Sequence, residues 1–105
     1  MHYKVTATFK TETATEFPRK LTDGTIENQK PDGKEIIQSM TTRARIDEDG
    51  NVGWSEACYC DTPLQHERET VYDKFFTALE TEEVDDYVSV DEGELFIEFL
   101  KREAE

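Results

Sequence analysis

The chain has 105 residues, 25 acidic and 12 basic, for a formal net charge of −13; apolar residues make up 35%. That length supports one domain, residues 1–105, around a single core, and the charge argues against the Lys- and Arg-driven binding that nucleic acids and anionic membranes require. The acidic side chains are spread rather than blocked, so they read as a solvated surface and not as an ordered anionic stripe.

Nothing near Met1 resembles a signal peptide, and no apolar run approaches the ~20 residues of a membrane span, which predicts a cytoplasmic, reducing location. Cys58 and Cys60 do not make a disulfide scaffold. At positions i and i+2 of a strand their Cα atoms lie ~6.6 Å apart, the outer limit for a bridge.

Residues 1–10 alternate as a strand, with Tyr3, Val5, Ala7 and Phe9 on one face. Residues 12–40 read as two helical pieces: Ala14, Phe17 and Leu21 form a short apolar stripe, Gly24 and Pro31-Asp32-Gly33 interrupt it, and helix resumes over 34–40. Strands are predicted at 42–46 and 52–60, with Asp49-Gly50 as a two-residue hairpin loop. That register sets Arg45 opposite Trp54 and Arg43 opposite Glu56, gathers Trp54, Glu56, Cys58 and Cys60 on the same face, and turns Ala44, Ile46, Ala57 and Tyr59 to the other.

The next helix is predicted over 63–80, with Thr62 as N-cap, Pro63 in the first turn and Gln65 at the capping-box position. Leu64, Val71, Phe75, Ala78 and Leu79 form its apolar stripe, and His66 projects away from it into solvent. A fourth strand is predicted at 86–90, with Val88 inward and Tyr87 outward. Residues 94–100 then fit a short terminal helix closed by Lys101 and Arg102, or alternatively a fifth strand.

The order strand, helix, strand, strand, helix, strand resembles the ferredoxin-like βαββαβ sandwich, an α+β fold with a four-stranded antiparallel sheet and helices on one face, here over roughly residues 1–90 with a short C-terminal helix added. Within that class the chain looks most like small bacterial proteins that pair sheet to sheet as dimeric α+β barrels. The run Trp54-Ser-Glu-Ala-Cys-Tyr-Cys60 with Thr62-Pro-Leu64 also resembles an uncharacterised bacterial family to which no activity attaches. The resemblance implies that the first and third strands are antiparallel neighbours. His2, Cys58 and Cys60 would then meet at one end of an open face that also carries Arg43, Arg45, Trp54, Glu56 and Tyr87.

Three such ligands suit zinc in kind, but paired Cys-x-x-Cys or His-x-x-x-His spacing is absent, so no metal or cofactor is expected there. A cysteine nucleophile lacks an orienting third group, and Asp47-Glu-Asp-Gly-Asn51 lacks the glycine register and distal glutamate of a calcium loop. Three functions compete. The first is a non-catalytic domain that forms a homodimer through its open sheet face. The second is a small-ligand binder or enzyme in which Trp54 stacks on a ligand, Arg43 or Arg45 holds an anionic group and Glu56 is the acid or base. The third is an acidic regulator of a basic partner.

Overall fold

The computed structural model describes residues 1–59, 61–90 and 92–103. Its centre is β1 (His2–Phe9), which pairs antiparallel with β3 (Asn51–Ala57) on one side and β4 (Phe76–Val84) on the other. The short β2 (Arg45–Ile46) joins β3 to β5 (Glu94–Leu95), giving a five-stranded antiparallel sheet in the order β4-β1-β3-β2-β5. The sheet therefore has one strand more than the four expected. Alternation turns Tyr3, Val5, Ala7 and Phe9 toward the helices, where they are buried with Phe17 and Leu21 of α1 (Glu16–Thr22) and Ile36 of α2 (Gly33–Gln38).

The hairpin between β2 and β3 decides which face carries the tryptophan. Arg45 lies opposite Gly53 and Ile46 opposite Val52, one residue away from the expected pairing. The Asp47 carboxylate accepts hydrogen bonds from the backbone N–H groups of Asp49 and Asn51, both at 2.9 Å, and Asp47 N–H donates to Asn51 O. Residues 48–50 thus form a three-residue loop that ends on Gly50 at φ +86°, where a glycine adopts the left-handed conformation without strain. A one-residue change of register reverses every side chain. Trp54 and Glu56 consequently point into the core with Ala44, Ile46 and Val52, while Ala57 and Tyr59 lie outside it.

Four further expectations are corrected. Residues 42–44 are not strand, because α2 runs on into a π turn (Ser39–Arg43) whose Thr41 and Thr42 hydroxyls donate to Ile37 O and Gln38 O. The helix expected over 63–80 is α3, residues 65–75, with a π turn at Arg68–Tyr72 that lets both Val71 and Tyr72 face inward. It begins after Leu64 at φ +58° with no side-chain cap, so Thr62 does not cap it. From Phe76 the chain becomes β4, with a bulge at Ala78 (φ +54°), because the free edge of β1 offers it a hydrogen-bonding partner. The fourth strand is therefore at 76–84 and not at 86–90.

The 86–90 segment instead crosses the outer face of the sheet, where Val88 N–H donates to Ser55 Oγ at 3.1 Å and Val90 packs over Gly53. Val88, expected inward, is 37% exposed. After β5 comes α4 (Phe96–Glu103), which buries Phe96 and Leu100, so both alternatives for 94–100 are partly realised. Glu80, Glu82 and Glu83 are exposed along the edge strand β4, where charge discourages pairing with other sheets. Among the described residues no helix is long and apolar enough to cross a membrane.

Gly33 fixes how α2 enters the fold. A Cβ there would lie 2.1 Å from Ile26 O and 2.9 Å from Glu27 O, both backbone atoms of the preceding loop. Gly33→Ala must push that loop and Asp32 apart, and is expected to cost about 1–3 kcal/mol, measured by urea denaturation.

Candidate functional site

The end of β3, the start of α2 and the first turn of α3 converge on a pocket of about 400 Å³ lined by Pro31, Asp32, Glu35, Ala57, Cys58, Tyr59, Glu67 and Tyr87. The two helices contribute the acids, each for a local reason. Asp32 directly precedes α2 and Glu35 sits in its first turn, while Glu67 falls on the buried stripe of α3, three residues after Leu64 and four before Val71.

Glu35 ties the wall together. Its Oε2 accepts from Ala57 N–H at 2.8 Å, from the Tyr87 hydroxyl at 2.9 Å and from Arg43 at 3.0 Å. The Arg43 guanidinium also lies 4.1 Å from the centre of the Tyr87 ring, so the segment crossing the sheet is pinned to the pocket rim.

Asp32 accepts from Gln29 at 3.0 Å and lies 2.5 Å from His66 Nδ1. Burial opposes its ionisation, but hydrogen bonds from Glu67, His66 and Gln29 together outweigh that and hold the carboxyl below its ordinary value. The same contact raises His66. Glu67 moves the other way: burial first, then its hydrogen bond with Asp32, push it up to about 8 against the opposing hydrogen bond from Cys58. The two carboxyls are thus driven in opposite directions, Glu67 toward holding a proton and Asp32 toward charge, and His66 stands beside the member held low. Two carboxyls whose environments drive them apart can pass a proton between a ligand and the protein.

Behind this wall lies Glu56, fully buried, whose Oε1 accepts from Trp54 Nε1–H at 3.0 Å and from the Tyr72 hydroxyl in a short hydrogen bond. Burial raises it to about 7, and its Oε2 has no hydrogen-bond partner among the described residues. A second pocket, of about 390 Å³, lies on the outer sheet face. Its ionisable residues, Lys4, Arg45, Asp47 and Glu92, mix both signs and none is buried, so it concentrates no chemistry comparable to the first.

Of the residues singled out in the sequence, Cys58 and Tyr87 line the first pocket and Arg43 braces it. Trp54 and Glu56 are in the core and not on an open face, because of the hairpin register. Arg45 lies apart on the outer face, donating to Gly93 O at 3.0 Å, and Cys60 lies outside the described residues. His2 packs edge-on against Tyr87, with ring centres 4.7 Å apart. His66 is not simply solvated; it stays beside α3 and reaches Asp32 without entering the sheet. Asp32, Glu35, Glu67 and Tyr72 were not singled out. One signal was present for Glu67, a charged residue on an otherwise apolar helical stripe.

No protein-family model matches this chain, and no curated protein and no solved structure is significantly similar to it.

Proposed function

We propose that this chain is a small-ligand-binding domain whose pocket takes the positively charged part of its ligand. One observation carries the reading: three acids, Asp32, Glu35 and Glu67, and two tyrosines, Tyr59 and Tyr87, share a 400 Å³ pocket whose lining includes neither Lys nor Arg. Carboxylate oxygens and aromatic faces both attract cations, and since Arg43 already engages Glu35 and the Tyr87 ring, Asp32, Glu67 and Tyr59 are the groups left to meet the ligand. A cation can also take the place of a proton held by Glu67. The polarity is thus opposite to that of a pocket built from Trp54, Arg43 and Glu56, which would hold an anion.

The sheet order β4-β1-β3-β2 supports a ferredoxin-like sandwich to which β5 has been added at one edge. Self-association through Trp54 loses its basis, since that side chain is already covered within one chain. Tyr59, 86% exposed, and Tyr87, 42% exposed, are large rings presented to solvent, and both line the pocket. Rings so placed suit a ligand that closes over the pocket mouth.

The test is an NMR titration, in buffer containing chelator, with primary and quaternary amines matched against carboxylates of the same carbon skeleton. Saturable shifts of the Ala57, Cys58 and Tyr59 amides are expected with at least one amine and with no carboxylate, and are expected to weaken in Glu35→Gln. Binding by the carboxylates alone would refute the reading.

A further inference from the structure

We infer that Asp32, His66 and Glu67 together hold a divalent transition metal, zinc by preference, beside the pocket that Asp32 and Glu67 line. The inference rests on the cation-binding reading of that pocket and names the cation.

One ligand atom from each of these three residues lies within 4.8 Å of the others, and Asp32 and Glu67 are buried. Adjacent residues on the first turn of α3 supply two of the three groups, and the residue that precedes α2 supplies the third. The set is therefore built on two elements that the core already fixes. Zinc–nitrogen and zinc–oxygen bonds of ~2.0–2.1 Å place tetrahedral ligands about 3.3 Å apart. His66 Nδ1 and Asp32 Oδ2, now in direct contact at 2.5 Å, need to part by less than about 1 Å to admit the ion. A rotation of the partly exposed His66 ring supplies such a displacement without moving the backbone.

The donor chemistry selects the metal. One imidazole with two carboxylates suits zinc and its first-row neighbours, whereas calcium and magnesium prefer oxygen alone. Three protein ligands leave a fourth position, and Asp32 and Glu67 both line the pocket, so that position opens toward a ligand. These residues differ from the His2, Cys58 and Cys60 set considered from the sequence; His2 is engaged with the Tyr87 ring.

The experiment uses full-length protein stripped with chelator and dialysed, titrated with Zn²⁺ alone by calorimetry, with Co²⁺ absorption as the geometric readout. One equivalent of Zn²⁺ is expected, with a tetrahedral Co²⁺ spectrum. Affinity should fall at least tenfold in His66→Ala, a variant whose fold circular dichroism can verify, because the side chain is partly exposed. His2→Ala, which removes the chain's other imidazole, should leave binding within a few fold of wild type. The inference is overturned by absence of stoichiometric Zn²⁺ binding, by undiminished binding in His66→Ala, or by binding that disappears in His2→Ala and persists in His66→Ala. If the amines bind and Zn²⁺ does not, the metal is refuted and the pocket reading stands. If neither binds, both fall.

Discussion

Trp54→Ala is expected to destabilise the domain by about 3–5 kcal/mol, the range for truncating a fully buried large aromatic. Trp54 has no exposed surface; its ring packs 5.1 Å from Tyr72 and 5.2 Å from Phe76, centre to centre. Truncation opens a cavity between sheet and α3 and also removes one of the two donors that satisfy Glu56 Oε1, which adds the cost of a stranded buried acceptor. A domain of this size has a total stability of only about 5–15 kcal/mol, so the variant will be partly or wholly unfolded at moderate temperature. Urea denaturation followed by circular dichroism checks this, because the substitution removes the chain's only tryptophan and with it the fluorescence probe. Trp54→Phe, which keeps most of the ring volume, should lose less. A loss below about 1 kcal/mol in Trp54→Ala would show that the side chain is not in the core.

The hairpin next to this tryptophan shows where sequence periodicity stops being informative. Alternation correctly identified β1 and the inward set Tyr3, Val5, Ala7 and Phe9, because an apolar residue at every second position has only one economical placement. β3 has no such one-sided pattern: Trp54, Ser55 and Glu56 are consecutive and all buried, since the crossing 86–90 segment covers the face opposite the helices. The face was therefore chosen by the loop, and Asp49-Gly50 fits a two-residue turn as well as the last two positions of a three-residue one. What separated them was the Asp47 side chain gripping two backbone N–H groups, a contact that residue composition does not specify. The end of α3 failed for a related reason. Ala78 and Leu79 continue the helical stripe, but the unpaired edge of β1 draws 76–84 into the sheet, a tertiary demand that outranks local periodicity.

The candidate site was less legible still, because it joins residues far apart in sequence: Asp32 with His66 and Glu67, and Glu35 with Tyr87. The spacings between them fit no motif, and helical phase placed His66 in solvent without revealing that an acid comes up beside it. Glu67 alone interrupted a pattern visibly. A charge among Leu64, Val71 and Phe75 needs either a partner or a proton, and it has both.

Glu56 gives the second large effect, on the pH dependence of stability. Its carboxyl stands at about 7 in the folded protein against an ordinary value of 4.5, with burial as the chief cause. The folded state therefore binds more protons than the unfolded state between those values, and stability must fall as pH rises through that interval. At ~1.4 kcal/mol for each unit of displacement, the loss attributable to Glu56 is about 3 kcal/mol, fully developed above pH 7. Glu67 and His66, both raised, lose stability in the same direction, whereas Asp32, held low, titrates below the window. The wild type should accordingly be most stable near pH 5 and markedly weaker at pH 8. Glu56→Gln separates the contribution of this one residue. The amide oxygen can still accept from Trp54 and Tyr72, but the side chain cannot ionise. Urea midpoints of chelator-treated protein, measured at pH 5 and pH 8, should show the variant no more stable than wild type at the lower pH and more stable at the higher. Equal pH slopes in the two proteins would mean that Glu56 ionises in the core without penalty, which complete burial and an Oε2 with no hydrogen-bond partner among the described residues make physically expensive.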